Sequence, residues 1–407
     1  MGSSMIARVD EHESLRAEVR EWIRANHPGD PGWKLPQSAL EVADDRQFQW
    51  LRDWQRKLYD AGYVGAEWPS EYGGAGKPRG TQRVIDQELA RGRAPFLLNL
   101  VALSWAGPVI LRFGTEAQKK KFLRPLLRCD EVWCQGFSEP GAGSDLASLR
   151  TRAVRSGSEW VIDGHKVWTT LGRYADWCIL LARTDESAVK HAGISYFLAP
   201  MKVPGVEVQP LVKLTGEGGF NQVIWSAARI PVEALIGREG QGWEIAMATL
   251  QFERGAAEGS AGGQFVGGPG EQVASLARLA QSLERDGRPA LADPVVRDRL
   301  TAFWIEETAL RANAARARIP GLVADRPEAL PLQSKLASSE HGQALADFAC
   351  ELEGPGAALW IGDPHAPANA EWQRSYLNSF AMTIAGGTSE ILRNILGERV
   401  LGQPKTR

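Results

Sequence analysis

The sequence predicts a multidomain α+β protein in which helices are followed by a β domain and then by more helices. The chain has 407 residues, a length that corresponds to roughly two to three domains. Residues 10–128 carry apolar side chains at helical spacing, as in Leu15, Val19 and Trp22. Around residue 130 the pattern changes to short β-branched and aromatic segments, and after Trp243 it becomes helical again.

The first helical part continues through residues 45–59, 80–90 and 115–127, with a Pro- and Gly-rich loop at 67–78. The β segments include 160–170, 177–184 and 194–200, and their turn-bounded alternation predicts antiparallel strands. We therefore expect three domains, an N-terminal helical domain at 5–129, a middle β-sandwich or barrel at 130–236 and a C-terminal helical domain at 237–407.

The C-terminal part begins with a glycine-punctuated helix entry at 237–243 and contains long helical patterns at about 271–286, 293–318 and 331–353. Between them, residues 255–270 contain seven glycines. Glycine costs about 1 kcal/mol relative to alanine inside a helix. This stretch is therefore not expected to form one long regular helix.

Composition excludes several functional classes. The net charge is −2, which argues against a nucleic-acid or membrane-surface binder, and no apolar run reaches the roughly 20 residues that span a bilayer. The four cysteines and six histidines show no metal-ligand spacing, so we expect reduced thiols and no metal site. No apolar signal core is visible near the N-terminus, which predicts a cytoplasmic protein.

Residues 134–146 read C-Q-G-F-S-E-P-G-A-G-S-D-L, a strand-like start that runs into a glycine-rich loop. Backbone N–H groups and hydroxyls in such a loop can bind phosphate oxygens and the polar edge of a heterocycle. For G-A-G-S alone, an ordinary β-turn is the more common explanation. The loop is not a dinucleotide fingerprint, because no βαβ unit follows it.

A second segment, K-V-W-T-T-L-G at 166–172, lies on another predicted strand. Trp168 could lie against a flat ring system, and Thr170 could point its hydroxyl at a ring atom. A tryptophan on a strand is more often a core residue, so this segment carries weight only together with the preceding one.

A third segment, T-I-A-G-G-T-S-E-I-L-R-N-I-L-G-E-R-V-L-G at 383–402, is a glycine turn that opens a helix. Thr388 and Ser389 can cap the exposed N–H groups, and Glu390 suits the positive end of the helix dipole.

Taken together, S-E-P-G-A-G-S-D, D-G-H-K-V-W-T-T and G-G-T-S-E-I resemble the flavin-binding segments of the acyl-CoA dehydrogenase family. R-I-P-V-E-A-L-I-G-R-E-G-Q-G-W at 229–243 and R-N-I-L-G-E-R-V-L-G also resemble that family, so the similarity covers nearly the whole chain in order. It implies the family's architecture, with a C-terminal four-helix bundle, and noncovalent FAD.

The resemblance also implies roles for individual residues. Cofactor contacts would come from Phe137, Ser138, Gly143, Ser144, Trp168, Thr170, Gly387, Thr388 and Glu390. Ser144 could instead reach the acyl-CoA, and Arg254 would contribute to substrate binding. The family reaction removes the α proton of an acyl-CoA while the β hydrogen leaves as hydride, which gives a trans-2-enoyl-CoA. Electron-transferring flavoprotein is the usual acceptor.

One departure from the family concerns the catalytic base. Many members carry Glu where this chain has Gly386, which cannot accept a proton. Proton abstraction needs a carboxylate within hydrogen-bond reach. Glu253, before Arg254, matches the position that a subset of the family uses instead. Glu258 is a second, weaker candidate.

Helical spacing places Glu253 on one face with Thr249 and Ala246, small residues that would leave room for a ligand. The alternative is an ordinary solvated or salt-bridged glutamate. If Glu253 is not the base, the chain could be a non-catalytic structural subunit that supports an active partner.

Other departures concern substrate and assembly. The glycine-rich stretch after Arg254 resembles actinobacterial-type members that act on bulky, sterol-side-chain-like acyl-CoAs, which predicts a bulky, branched or cyclic acyl group. Cys350 stands about where Gln is common in homotetramers. A homodimer, a homotetramer and an α2β2 heterotetramer with a paralogous subunit all stay open, as does a flavin oxidase or monooxygenase activity on the same fold.

Overall fold

The structure is a computed structural model that describes residues 2–33, 35–36, 38–42, 44–216, 218–253, 272–316, 319, 321 and 329–405. The described residues fall into two compact units, one up to residue 253 and the other from residue 272 onward. The three domain boundaries given above remain predictions.

The first unit begins with helices. They are α1 (Gly2–Asn26), α2 (Asp45–Asp60), α3 (Thr81–Arg91), α4 (Gly107–Phe113) and α5 (Glu116–Arg128). Asp44 caps α2 by accepting the N–H of Gln47, and Thr115 and Gln118 form a reciprocal capping box on α5. A π-helical turn at Ala102–Ala106 precedes α4 directly.

In the part of the chain that the structure describes, eight strands follow and form one sheet. They are β1 (Trp133–Gly136), β2 (Arg152–Ser156), β3 (Glu159–Thr170), β4 (Trp177–Arg183), β5 (Ile194–Pro200), β6 (Val206–Leu211), β7 (Phe220–Pro231) and β8 (Leu235–Ile236). The order is β6-β7-β3-β2-β4-β5-β8, and β1 pairs with β4.

The expected antiparallel pairing holds for most neighbours but not for β4 with β1 or β2. Trp133 of β1 pairs in parallel with Trp177 of β4, and Arg152 of β2 pairs in parallel with Arg183. The chain between β1 and β4 contains β2 and β3, which is long enough for the crossover that a parallel pair requires.

Strands β4 and β5 are buried on both faces of the sheet. Successive side chains of a strand point to opposite faces, so alternate residues of β4 enter two different cores. Ile179 and Leu181 enter a core shared with the helices, whereas Cys178 and Leu180 enter a second core that includes Trp160 of β3. Helix α6 (Gly242–Glu253) contributes Ile245 and Ala246 to the first core.

The second unit is helical, as predicted. It contains α7 (Gln272–Ser282), α8 (Pro294–Arg316), α9 (Ala329–Glu353), α10 (Glu371–Ile384) and α11 (Ser389–Ile395). Leu276, Leu300, Leu345, Phe348 and Trp372 meet in its core. Cys129, Cys134, Cys178 and Cys350 are free cysteines in the structure.

The first long helix of this unit ends earlier than the pattern at 271–286 indicates. Ser282 closes α7, and the short strands β9 (Glu284–Arg285) and β10 (Arg288–Pro289) form a hairpin. Asp286 and Gly287 both have positive φ, 51° and 73°, as an Asp-Gly type I′ turn requires. The Asp286–Gly287 turn therefore ends the helix before the last residues of the apolar pattern at 271–286.

No described helix combines the length and the apolarity needed to cross a bilayer.

Candidate functional site

The loop after β1 is closed by a tight turn. Glu139 and Ala142 exchange backbone hydrogen bonds of 3.0 and 3.1 Å. Gly141, Gly143 and Ser144 are exposed, and a Cβ placed on either glycine would meet no atom within 4 Å. The outer side of this loop therefore leaves space for a bound group to approach the backbone.

A buried ion pair, which sequence reasoning missed, lies beneath this loop. The Lys166 Nζ donates to Glu139 Oε1 at 2.8 Å and to the Phe137 carbonyl at 3.0 Å. The two carboxylate oxygens of Glu139 also accept the backbone N–H groups of Thr151 and Arg150, at 2.9 and 2.7 Å. The side chains of Lys166 and Glu139 are 0% and 8% exposed.

The charges of this pair stabilise one another. Burial alone would raise the pKa of Glu139, but the Lys166 ammonium and the surrounding donors hold it below its ordinary value. Burial lowers the pKa of Lys166, and the Glu139 charge opposes that shift. Both groups are thus kept as an ion pair inside the first unit.

Strand β3 bulges immediately after Lys166. Lys166 pairs with Val223 and Thr169 pairs with Asn221, so two residues on β3 face one on β7. Trp168, inside the bulge, has a φ of 60° and is 62% exposed. The bulge leaves its indole largely exposed, and the Trp168 and Phe220 rings meet edge to face with centroids 5.8 Å apart.

The two threonines that follow are buried. The Asn221 amide donates to the Thr169 carbonyl at 3.0 Å, which fixes the strand after the bulge. The Thr169 hydroxyl is buried without a hydrogen-bond partner in the described chain. Thr170, the predicted flavin contact, is nearly buried beside it.

Phe137 and Ser138 occupy different environments. The Phe137 ring is 5% exposed and meets the Tyr196 ring edge to face at 5.8 Å. Ser138 is half-buried, and its carbonyl accepts the Val167 N–H at 2.9 Å. The Phe137 side chain thus belongs to the core, whereas its carbonyl is bound by Lys166.

The helix that carries the predicted base is packed into the first unit. Thr249 and Ala246 are fully buried, and the Thr249 and Tyr196 hydroxyl oxygens lie 3.2 Å apart. The expectation that these small residues leave room for a ligand is therefore wrong, because β5 fills that space. Glu253 closes α6, whereas its side chain, Arg254 and Glu258 lie outside the described residues.

The glycine turn belongs to the second unit. Gly386 and Gly387 have φ values of 68° and 103°, conformations that favour glycine. The Lys335 ammonium donates to the Gly387 carbonyl at 2.8 Å. The Thr388 side chain caps α11 by accepting the Ile391 N–H. Hydrogen bonds from its own backbone and from Thr388 lower the pKa of Glu390, so the helix start holds a carboxylate.

These features fit a planar, phosphate-bearing cofactor on the first unit. An exposed indole turned out by a bulge offers a stacking face, and the neighbouring glycine loop offers backbone donors without side chains in the way. No group of three or more His, Cys, Asp or Glu side chains in the described chain could hold a metal ion.

Comparison with known families matches three consecutive models along the chain. They are the N-terminal, middle and C-terminal domains of acyl-CoA dehydrogenase, at residues 9–130, 134–224 and 240–401. The chain belongs to the acyl-CoA dehydrogenase family. The predicted three-part architecture, the oxidoreductase class and FAD as cofactor are thereby confirmed.

Acyl-CoA dehydrogenase relatives from mycobacteria resemble this chain over its whole length. Acyl-CoA dehydrogenase IpdE1 of Mycobacterium tuberculosis is 39% identical over 399 residues, which are 97% of this chain and 98% of that protein. IpdE1 of Mycolicibacterium smegmatis is 37% identical over 410 residues, with the same coverage of both chains.

Two solved assemblies share the fold of this chain. The Tcur3481-Tcur3483 steroid ACAD has a TM-score of 0.79 at 29% identity and covers 98% of both chains. The ChsE4-ChsE5 complex from Mycobacterium tuberculosis has a TM-score of 0.76 at 27% identity and covers 97% of this chain and 98% of its own.

Proposed function

We propose that this acyl-CoA dehydrogenase oxidises a bulky, branched or cyclic acyl-CoA to the trans-2-enoyl-CoA, with Glu253 as the α-proton base. The single observation that carries the flavin part is the bulge that exposes Trp168 beside the open glycine loop. Support for a bulky substrate comes from the likeness to a steroid ACAD along the whole chain.

Bound FAD supplies the acceptor for the hydride that leaves the β carbon. On this chain, Trp168 would lie against the flavin ring, and Ser138 and Thr170 would hydrogen-bond its polar edge. Gly143 and Ser144 would bind phosphate oxygens through the open side of their loop, and Ser144 could also contact the acyl-CoA.

The buried Phe137 ring would support the flavin from behind, and its carbonyl is already engaged by Lys166. By the family resemblance, Gly387, Thr388 and Glu390 would also contact the cofactor. Their turn suits a close approach, because both of its glycines lack a Cβ at positive φ.

Glu253 would accept the α proton, and Arg254 would help to bind the thioester. Gly386 carries no acid at the position that many family members use, so a carboxylate elsewhere is needed. Glu253 lies directly at the end of α6, a helix that the first core holds firmly through Ile245 and Ala246.

The test of the base is Glu253→Gln. We expect the variant to fold and to retain FAD, while kcat falls about 10²- to 10⁴-fold, the usual contribution of a general base. Glu244→Gln is a matched control, because it makes the same change in the first turn of the same helix. Near-wild-type turnover by Glu253→Gln would exclude the role, and loss in Glu258→Gln instead would assign it to Glu258.

The substrate class is tested with a panel of thioesters. Anaerobic titration of the holoenzyme should bleach the flavin absorbance with a CoA thioester of a ring-bearing or branched acid at lower concentrations than with butyryl-CoA. A clear preference for butyryl-CoA would contradict the proposal that the natural acyl group is bulky. Reoxidation by electron-transferring flavoprotein that is much faster than by air would support the proposed acceptor and exclude an oxidase.

A non-catalytic role is the second candidate, and Gly386 is the observation that favours it. The two solved assemblies above are each described by a pair of unlike names, so an α2β2 assembly with a paralogous subunit is proposed beside a homodimer or homotetramer. Native mass and FAD content of the protein purified alone would separate these assemblies. A purified chain that binds FAD but is not bleached by any thioester would favour the structural role.

A further inference from the structure

The glycine loop after β1 and the bulge that carries Trp168 are connected by buried hydrogen bonds. Lys166 lies directly before the Val167–Trp168 bulge, and its ammonium holds both the Phe137 carbonyl and the Glu139 carboxylate. Glu139 in turn closes the tight turn of the glycine loop with Ala142. The position of the loop and the start of the bulge are therefore coupled.

The route of the lysine is narrow. A Cβ on Gly136 would lie 3.5 Å from the Lys166 Cγ and 2.8 Å from the Cys178 Sγ. The side chain thus passes over the glycine of β1 to reach the loop beyond it. Next to it, the Val167 N–H binds the Ser138 carbonyl at 2.9 Å, so backbone and side chain fasten the same segment.

A fully buried lysine is costly unless it is paired, and packed apolar residues often stabilise a fold as well as a buried ion pair does. A contribution to folding stability alone therefore does not explain why these two positions carry a Lys–Glu ion pair and not apolar residues. We propose that Glu139 and Lys166 are positioning residues that hold the glycine loop and the Trp168 bulge in the geometry that binds the flavin. This inference rests on the proposed flavin contacts.

The test uses the double variant Glu139→Gln/Lys166→Met. The first change keeps one side-chain oxygen, which can accept the buried N–H of Thr151, while the N–H of Arg150 loses its acceptor. The second change fills the lysine's volume, so no buried charge is left alone. The contact from position 166 to the Phe137 carbonyl is lost. Apoprotein prepared from the holoenzyme is titrated with FAD, and its thermal midpoint is measured without FAD.

We expect the FAD dissociation constant to rise at least tenfold, with a shifted visible flavin spectrum, while the apoprotein midpoint stays within a few degrees of wild type. A purely structural pair would lower the midpoint and leave the spectrum of the bound flavin unchanged. Lys190→Met is the matched control, because it breaks the exposed ion pair between Lys190 and Asp145, and Asp145 belongs to the glycine loop. It should alter neither quantity.

Trp168→Ala distinguishes a failure of the positioning role of Glu139 and Lys166 from a failure of the proposed flavin contacts. If Trp168→Ala weakens FAD binding and the double variant binds FAD as wild type does, the positioning role is overturned. If neither variant affects FAD binding, the proposed flavin contacts are wrong as well. Should the double variant not fold, Glu139→Gln alone is measured, and wild-type FAD affinity and spectrum there would also overturn the proposal.

Discussion

The hydroxyl of Tyr196 on β5 donates a hydrogen bond to the hydroxyl of Thr249 on α6, with 3.2 Å between the oxygens. The direction follows because the single hydroxyl proton of Thr249 is used on the Ile245 carbonyl, at 2.9 Å. Burial raises the pKa of Tyr196 above its ordinary value, so the phenol keeps its proton. This contact fixes the helix that ends at Glu253.

Tyr196→Phe removes this donor with almost no change in shape. We expect a loss of about 1 kcal/mol in the free energy of unfolding, together with a fall in kcat larger than any change in KM, since α6 would hold Glu253 less firmly. Urea unfolding and steady-state kinetics measure both. Tyr72→Phe is the control, because it removes a hydroxyl contact with Glu116, which lies on α5 of the same unit. Equal kinetic effects in both variants would refute the link to α6.

Gly136→Ala should destabilise the first unit. The added methyl would lie 2.8 Å from the Cys178 Sγ and 3.1 Å from the Leu180 Cδ1, both buried. Overpacking of this kind costs about 1–3 kcal/mol, seen as a lower thermal midpoint. Cys178→Ala removes the sulfur, so Gly136→Ala/Cys178→Ala should regain part of that loss. An unchanged midpoint in Gly136→Ala would show that the strand shifts without cost.

The order of the helices and strands was predictable because each element carries its own periodicity. Trp168 and Thr170 were also found as candidate flavin contacts. The bulge that exposes Trp168 was not predictable, because it depends on how β3 pairs with β7, which lies about 50 residues further along the chain. The sequence of one strand does not contain that register.

Lys166 and Glu139 were missed although a signal exists. Lys166 is in phase with Trp160 and Ile162, the inward-facing residues of β3, and a lysine at an inward position needs a partner. The face of α6 was misjudged for a related reason. Helical spacing correctly placed Thr249 with Ala246, but only the packing of β5 shows that this face is filled.

The stability of the second unit should depend on Glu353. Burial raises the pKa of this carboxyl from its ordinary 4.5 to about 7, and both of its oxygens are without a hydrogen-bond partner in the described chain. The folded protein therefore binds this proton more tightly than the unfolded chain does. The stabilisation is complete below pH 4.5 and is lost as the pH rises through about 7.

Glu353→Gln should remove this loss, because the amide stays neutral. At pH 8 the variant is expected to be more stable than wild type by up to about 2–3 kcal/mol, and the difference should vanish near pH 4.5. Denaturant unfolding at several pH values measures it. Glu351→Gln, on the exposed side of the same helix end, should change stability by less than about 0.5 kcal/mol. A parallel pH dependence in wild type and Glu353→Gln would contradict the assignment.

Trp168→Gly should separate stability from function. Trp168 holds a φ of 60°, which costs a residue with a Cβ about 1–2 kcal/mol, and its exposed ring gains little from packing. Glycine relieves that strain but adds freedom to the unfolded chain, so the apoprotein midpoint should stay equal or rise slightly. FAD binding should weaken at least tenfold because the stacking face is lost. A marked fall in the apoprotein midpoint with unchanged FAD affinity would instead make Trp168 a structural residue of the bulge.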